Sequence, residues 1–195
     1  MIYGDRIRFR AVEREDLPTF KKWINDPEVR QGLGVYLPLS SEDEEEWFEG
    51  VRKHQPDERN LVIEVRQPNE LSIPPGELAS PPELEPSETT WRMIGGCSFF
   101  KLDGRNRSAE FGIMIGDKNY WNHGYGTEAV RLLVKHGFNT LNLNRIYLRV
   151  LENNPRAIRA YEKVGFIHEG RQRQAEYKDG GYLDLLVMSF LKDEF

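Results

Sequence analysis

Residues 121–129 read Trp-Asn-His-Gly-Tyr-Gly-Thr-Glu-Ala, and two closely spaced glycines where a helix begins can hold an anion. Gly124 and Gly126 remove side chains where the backbone must turn tightly. The helix that follows offers unpaired N–H groups and the positive end of its dipole, so the stretch can serve as a pyrophosphate site. A plain strand-to-helix turn fits the same residues, because a two-glycine loop has many uses. No Lys-Ser or Lys-Thr follows the glycines, which excludes a kinase-type phosphate loop. Further on, Asn154-Pro155 has the form of a helix start, and the spacing of Tyr161 puts it on the inner face of that helix as a core aromatic.

The elements that must position these residues follow from periodicity. Ile7 and Phe9 alternate with Arg6, Arg8 and Arg10, which predicts a strand over 6–12. Leu17, Phe20, Trp23 and Ile24 recur at helical spacing and stop at Asn25-Asp26-Pro27. Ser40 or Ser41 caps a second helix, where the acidic run Glu42–Glu46 suits the helix dipole and Trp47, Phe48 and Val51 form the apolar side. Strands are expected at 61–66, 93–100, 108–115 and 146–150, with a third helix from Gly126 through Leu141 and a fourth from Asn154 to Gly165. Two last strands, 167–177 and 182–191, turn at Gly180-Gly181. Residues 68–90 interrupt this order with six of the eleven prolines, five glutamates and no basic residue. Such a composition cannot propagate helix or sheet, so it reads as a long hairpin insertion, with a lid or a subunit contact as the alternative.

Composition narrows the classes of function. A chain of 195 residues fits one domain, 1–195, burying roughly 70% of its unfolded surface. A single cysteine, Cys97, has no partner for an internal disulfide and no neighbour at metal-ligand spacing, so no metal is expected and a reducing compartment is. Met1 to Arg6 lack the positive start and apolar stretch of a signal peptide, and no apolar run approaches the ~20 residues of a membrane span, which gives an expectation of a cytoplasmic protein with no membrane partner. A formal charge of −5 and a pI near 5.5 argue against a nucleic-acid surface.

Four segments carry a resemblance to a known family: Tyr120 through Ala129, Asn144-Arg145-Ile146, Asn153-Asn154-Pro155-Arg156-Ala157, and Tyr161-Glu162-Lys163-Val164-Gly165-Phe166. In order and spacing they resemble the RimJ/RimL-type branch of the GNAT superfamily of N-acetyltransferases. The opening agrees too, with Arg10 followed by Asp16-Leu17 and Trp23 through Val29, so the likeness covers nearly all of the chain except the proline-rich stretch. It implies an α+β GNAT fold: a mixed, mostly antiparallel seven-stranded sheet, splayed between its fourth and fifth strands and flanked by about four helices. It also implies acetyl-CoA as cosubstrate and an amine as acceptor.

By the same resemblance, His123, Gly124, Tyr125, Gly126 and Thr127 receive the pyrophosphate and pantetheine, while Ile113, Met114 and Ile115 offer backbone contacts within the splay. An amide near Met114, at a local irregularity of the strand, meets the oxyanion. The superfamily often has Gln or Arg three residues before Gly124; here Trp121 stands there, so a contact from its backbone or ring is expected. Asn154, with Ala157 beside it, contacts the cofactor or caps its helix, or does both. Tyr161 is placed near the coenzyme A sulfur, where a phenol with an ordinary pKa near 10 can donate to a departing thiolate. Glu110 is the candidate base, acting through water, with a salt-bridged strand carboxylate as the alternative. The acceptor groove is expected to draw on Trp23, Tyr36, Arg173, Tyr177 and Asp184, for which core packing or plain exposure is the alternative. The acceptor is expected to be a protein N-terminal amine, as in RimJ/RimL-like relatives, then a small amine such as a polyamine, amino sugar or aminoglycoside. From another class, a non-catalytic acyl-CoA-binding module would be preferred if Glu110 and Tyr161 were dispensable. Many relatives dimerise, so a homodimer is an expectation by analogy alone.

Overall fold

The computed structural model describes residues 1–68 and 89–195. Among these residues eight strands form one sheet: β1 (Ile2–Tyr3), β2 (Ile7–Ala11), β3 (Leu61–Pro68), β4 (Thr89–Asp103), β5 (Ser108–Ile115), β6 (Arg145–Leu151), β7 (Ile167–Lys178) and β8 (Gly181–Leu191), in the order β1-β2-β3-β4-β5-β6-β8-β7. Five α-helices accompany them: α1 (Leu17–Ile24), α2 (Pro27–Arg30), α3 (Ser41–Val51), α4 (Tyr125–Asn139) and α5 (Pro155–Val164). The expected α+β class and mixed sheet are present, with eight strands where seven were expected and five helices where about four were. The extra strand pairs Ile2 with Phe9 and Tyr3 with Arg8; two residues are too few to show a period. The extra helix arises at the α1 stop itself. Asp26 accepts from the amides of Glu28 and Val29 and Pro27 occupies the first turn, so the residues that end one helix cap the next.

Alternation along the strands builds a core on each face of the sheet. Ile7, Phe9, Ile63 and Val65 join Leu133 and Phe138 of α4 on one side, whereas Val62 joins Leu17, Phe20, Trp23 and Phe48 under α1 and α3 on the other. Each fully buried side chain of this size contributes about 1.5–3 kcal/mol. Between the layers, Arg10 forks onto both oxygens of Asp16 at 2.6 and 2.8 Å while Glu64 accepts from Arg8 and Arg10 at 2.6 and 2.8 Å. This pins α1 to the sheet, and explains why Arg10 and Asp16 stand together in the opening of the chain.

Every neighbouring pair is antiparallel except β5 and β6. A parallel pair needs a crossover, which α4 supplies. Their pairing covers only Ser108, Ala109 and Glu110 against Arg145, Ile146 and Tyr147; from Phe111 onward β5 leaves β6, and a gap opens in the middle of the sheet. The hairpin insertion expected at 68–90 lies mainly outside the described residues; Pro68 and Thr89, which bracket it, pair directly. Among the described residues no helix is long and apolar enough to cross a membrane.

Candidate active site

The gap between β5 and β6 is a cavity of about 540 Å³, within the range of small-molecule sites. Its walls are β5, β6, the turn into α4, α5, the end of α2 with the loop after it, and one residue each of β4, β7 and β8.

At one end the chain enters α4 through a left-handed turn. Asn122 has φ +64° and Gly124 φ +84°, and Gly124 is the N-cap of α4, so the amides that start the helix are left for a ligand. Gly124, Gly126 and Thr127 line the cavity. Among the described lining residues, His123 and Tyr125 do not. The His123 ring turns back, its Nδ1 2.7 Å from the Trp121 carbonyl oxygen. The Tyr125 ring packs against Tyr120 and under the Arg6 guanidinium, 4.4 Å from its centroid. Arg6 also donates to Glu128 from its backbone amide and from Nε, both at 2.8 Å, and so straps the outside of the turn. Both rings are thus engaged with protein groups outside the cavity.

Trp121 lines the cavity, and its ring has a purpose that the sequence hid. The indole Nε1 donates to the Ile115 carbonyl at 2.7 Å, tying the turn to β5, and the Arg156 guanidinium stacks 3.5 Å from the ring centroid. Arg156, Arg159 and Lys163 recur along one face of α5, line the cavity and make no ion pair among the described residues. Three open cations beside a helix entrance fit an elongated, polyanionic ligand such as a nucleotide-bearing thioester. The reading of the sequence overlooked them, although their spacing of three and four was visible.

Ile113, Met114 and Ile115 all line the cavity. The irregularity expected near Met114 is not a shift of register, since Gly96 faces Met114 and Gly95 faces Ile115 in step. It is a tilt. A side chain on Gly95 would collide with the Met114 carbonyl oxygen, so that oxygen leaves the sheet plane over a residue that must be glycine, and the planar peptide turns the Ile115 N–H to the other side. The true bulge lies one strand away, around Ile94, whose carbonyl accepts from the amides of both Gly116 and Asp117.

Asn154 and Ala157 line the cavity at the start of α5. Asn154 is the helix N-cap, its Oδ1 accepting from the Ala157 amide at 3.2 Å, so the cap reading holds while its Nδ2 stays beside Gly32. Tyr161 is buried between Phe111 and Phe166, with ring centroids 5.7 and 6.1 Å away, and it also borders the cavity. Burial pushes its hydroxyl well above its ordinary value near 10, so the group stays protonated as a donor. Glu110 borders the cavity too, but it is 3% exposed and each oxygen accepts from a cation at 2.8 Å, Lys101 on one and Arg149 on the other. Glu110 is therefore ion-paired on both oxygens at the edge of the cavity.

None of the five acceptor-groove candidates borders this cavity. Trp23 is a core residue whose ring covers Gly116 so closely that no side chain fits there. Arg173 is exposed on β7. Asp184 accepts from the Gln174 amide at 2.7 Å and from Arg171 at 2.8 Å, which hold its carboxyl below the usual range. Tyr36 and Tyr177 border a separate, smaller hollow with Arg30 and Asp179. Gly32, Leu33, Gly34, Phe100, Glu176 and Leu185 border the cavity instead. No motif joins them in sequence. Among the described residues no cluster of three or more His, Cys, Asp or Glu could hold a metal ion.

Comparison with known proteins agrees with this geometry. An uncharacterised N-acetyltransferase, p20 of Bacillus licheniformis, is 29% identical over 194 residues, covering 100% of this chain and 97% of that one. The crystal structure of spermidine N-acetyltransferase from Vibrio cholerae, in complex with CoA and spermine, superimposes with a TM-score of 0.79 at 25% identity and covers 98% of both chains. YdaF of Bacillus subtilis, provisionally named a ribosomal N-acetyltransferase, is 35% identical over 103 residues, 53% of this chain and 56% of that one. The family described as Acetyltransferase (GNAT) domain matches residues 6–167. The chain belongs to the GNAT acetyltransferase family.

Proposed function

We propose that residues 1–195 act as one acetyltransferase domain that moves the acetyl group of acetyl-CoA directly onto a primary amine of a small, multiply charged acceptor of the polyamine class. The observation that carries this reading is the likeness to a spermidine N-acetyltransferase across 98% of both chains. An N-terminal amine of a protein, the RimJ/RimL-type reading, is the second; the likeness to YdaF supports it over about half of the chain.

Acetyl-CoA supplies an activated acyl carbon and a thiolate leaving group. For its phosphates the chain offers the amides of 123–127, with Arg156, Arg159 and Lys163 along the same wall. The stretch of β5 from Ile113 to Ile115, paired with β4 but not with β6, gives the pantetheine a strand edge. The Ile115 N–H, turned by the Met114 tilt, meets negative charge as it develops on the carbonyl oxygen. Tyr161 donates its proton to the departing sulfur, and burial keeps that proton in place over the working pH range. Glu110 does not touch the amine: with one lone pair of each oxygen given to a cation, a remaining pair holds a water that relays the amine proton to the Glu110 carboxylate.

A thiol-release assay with acetyl-CoA against spermidine, simple diamines and peptides with different first residues tests the reading. Saturable release with spermidine or a diamine supports it. Release with peptides alone would replace it by the protein N-terminal reading.

A further inference from the structure

Two carboxylates border the cavity, and their surroundings are opposite. Glu110 has a cation on each oxygen. Glu176 has no ion pair and no side-chain hydrogen bond among the described residues, although it borders the same cavity. Its nearest cation in sequence, Lys178, feels its charge but commits its donors elsewhere, to the Arg30 carbonyl at 2.7 Å and the Leu33 carbonyl at 2.5 Å. A carboxylate left open toward a cavity is a place where a ligand's positive charge gains a partner.

The fold positions Glu176 deliberately. Gln172 faces Leu185 and Glu176 faces Leu183, so β7 carries two more residues than β8 between those pairs. Such a bulge re-aims the strand. Asp184 holds it by accepting from the Gln174 amide, with Gln174 at φ +51°. The opposite wall is backbone: a Cβ on Gly34 would stand 3.7 Å from Glu176 Oε1, so the carboxylate lies beside a residue without a side chain. The two Lys178 bonds fix that wall in place.

We infer that Glu176 is the acceptor-recognition carboxylate, binding a second ammonium group of an acceptor whose first amine is acetylated near Tyr161. This rests on the polyamine reading above. It makes Glu176 a determinant of specificity that touches the far end of the acceptor and takes no part in proton transfer.

The test is steady-state kinetics of Glu176→Gln with acetyl-CoA and three acceptors: butylamine, 1,4-diaminobutane and spermidine. The expected result is a rise in KM of about tenfold for the two polycationic amines, as loss of a charge-assisted contact gives. kcat should stay within about twofold, butylamine should be unaffected, and the KM for acetyl-CoA should not move. Glu176→Asp should recover part of the loss, which a purely structural role would not require. Equal losses with butylamine and the diamine, or a fall in kcat with KM unchanged, would overturn the inference in favour of a proton-transfer or structural role. Unchanged kinetics in both variants would overturn it while leaving the polyamine reading intact. If the native chain acetylates none of the three amines, that reading itself has failed and the inference goes with it.

Discussion

The two ends of the cavity are built by opposite means. The wall proposed for the cosubstrate comes from β5 and from two unbroken stretches, 121–127 and 154–163, in which each glycine, cap and cation is close in sequence to the next. The wall proposed for the acceptor gathers Gly32 to Gly34, Phe100, Glu176 and Leu185 from four distant places, brought together by the strand order β6-β8-β7 and by a bulge in β7. The difference teaches where this fold keeps what is shared and what is particular. On the proposed reading, acyl transfer from a common cosubstrate is encoded locally, whereas the choice of acceptor depends on tertiary register.

The largest effect that could break this division concerns the chemistry between the two ends. Tyr161→Phe should lower kcat by roughly 100-fold, within the usual range for losing a general acid, with CoA affinity by calorimetry within about twofold of native. Equal turnover would remove Tyr161 as the donor. Next, Arg156→Ala combined with Arg159→Ala should weaken CoA binding by about tenfold and flatten its dependence on salt, since exposed cations act on phosphates through screened charge. A CoA affinity that does not change would move the phosphates off α5. A smaller effect is expected at the acceptor wall: Lys178→Met frees the loop at Arg30 and Leu33 and should raise the amine KM by about threefold, leaving CoA binding alone.

The smallest expected effect tests the burial of Tyr161 apart from catalysis. Its hydroxyl lies above the ordinary value near 10 when folded and returns to that value on unfolding. The folded state therefore binds the proton more tightly, and this contribution is complete below pH 10 and lost as pH rises beyond it. Urea unfolding of the native chain and of Tyr161→Phe should give stabilities whose difference shifts in favour of Phe by about 1.4 kcal/mol between pH 9 and pH 11. A difference independent of pH would mean that the ring is open to solvent.

What could be read from the sequence follows the same line. Gly124 and Asn154 announced themselves because a helix entrance and a helix cap are local events, and Tyr161 because it falls within the motif that follows. Trp23 misled: its spacing with Leu17 and Phe20 already placed it on a buried face, and the fold puts its ring over Gly116. Asp184 and Arg173 lie off the cavity for a subtler reason. Which way a strand residue points depends on register, and a two-residue bulge in β7 turned Glu176 to the cavity, occupied Asp184 as its clasp and left Arg173 exposed. No period in the sequence marks that bulge. The base candidate Glu110 was placed correctly on its strand, yet its two cations come from Lys101 and from Arg149 on the neighbouring β6, and those pairings exist only once the sheet has formed.

The division of labour is tested most directly by measuring the KM of both substrates in Arg156→Ala and Glu176→Gln side by side. The predicted result is a crossed pattern: Arg156→Ala raises the KM for acetyl-CoA and spares spermidine, and Glu176→Gln raises the KM for spermidine and spares acetyl-CoA. Both variants shifting the same substrate would contradict it.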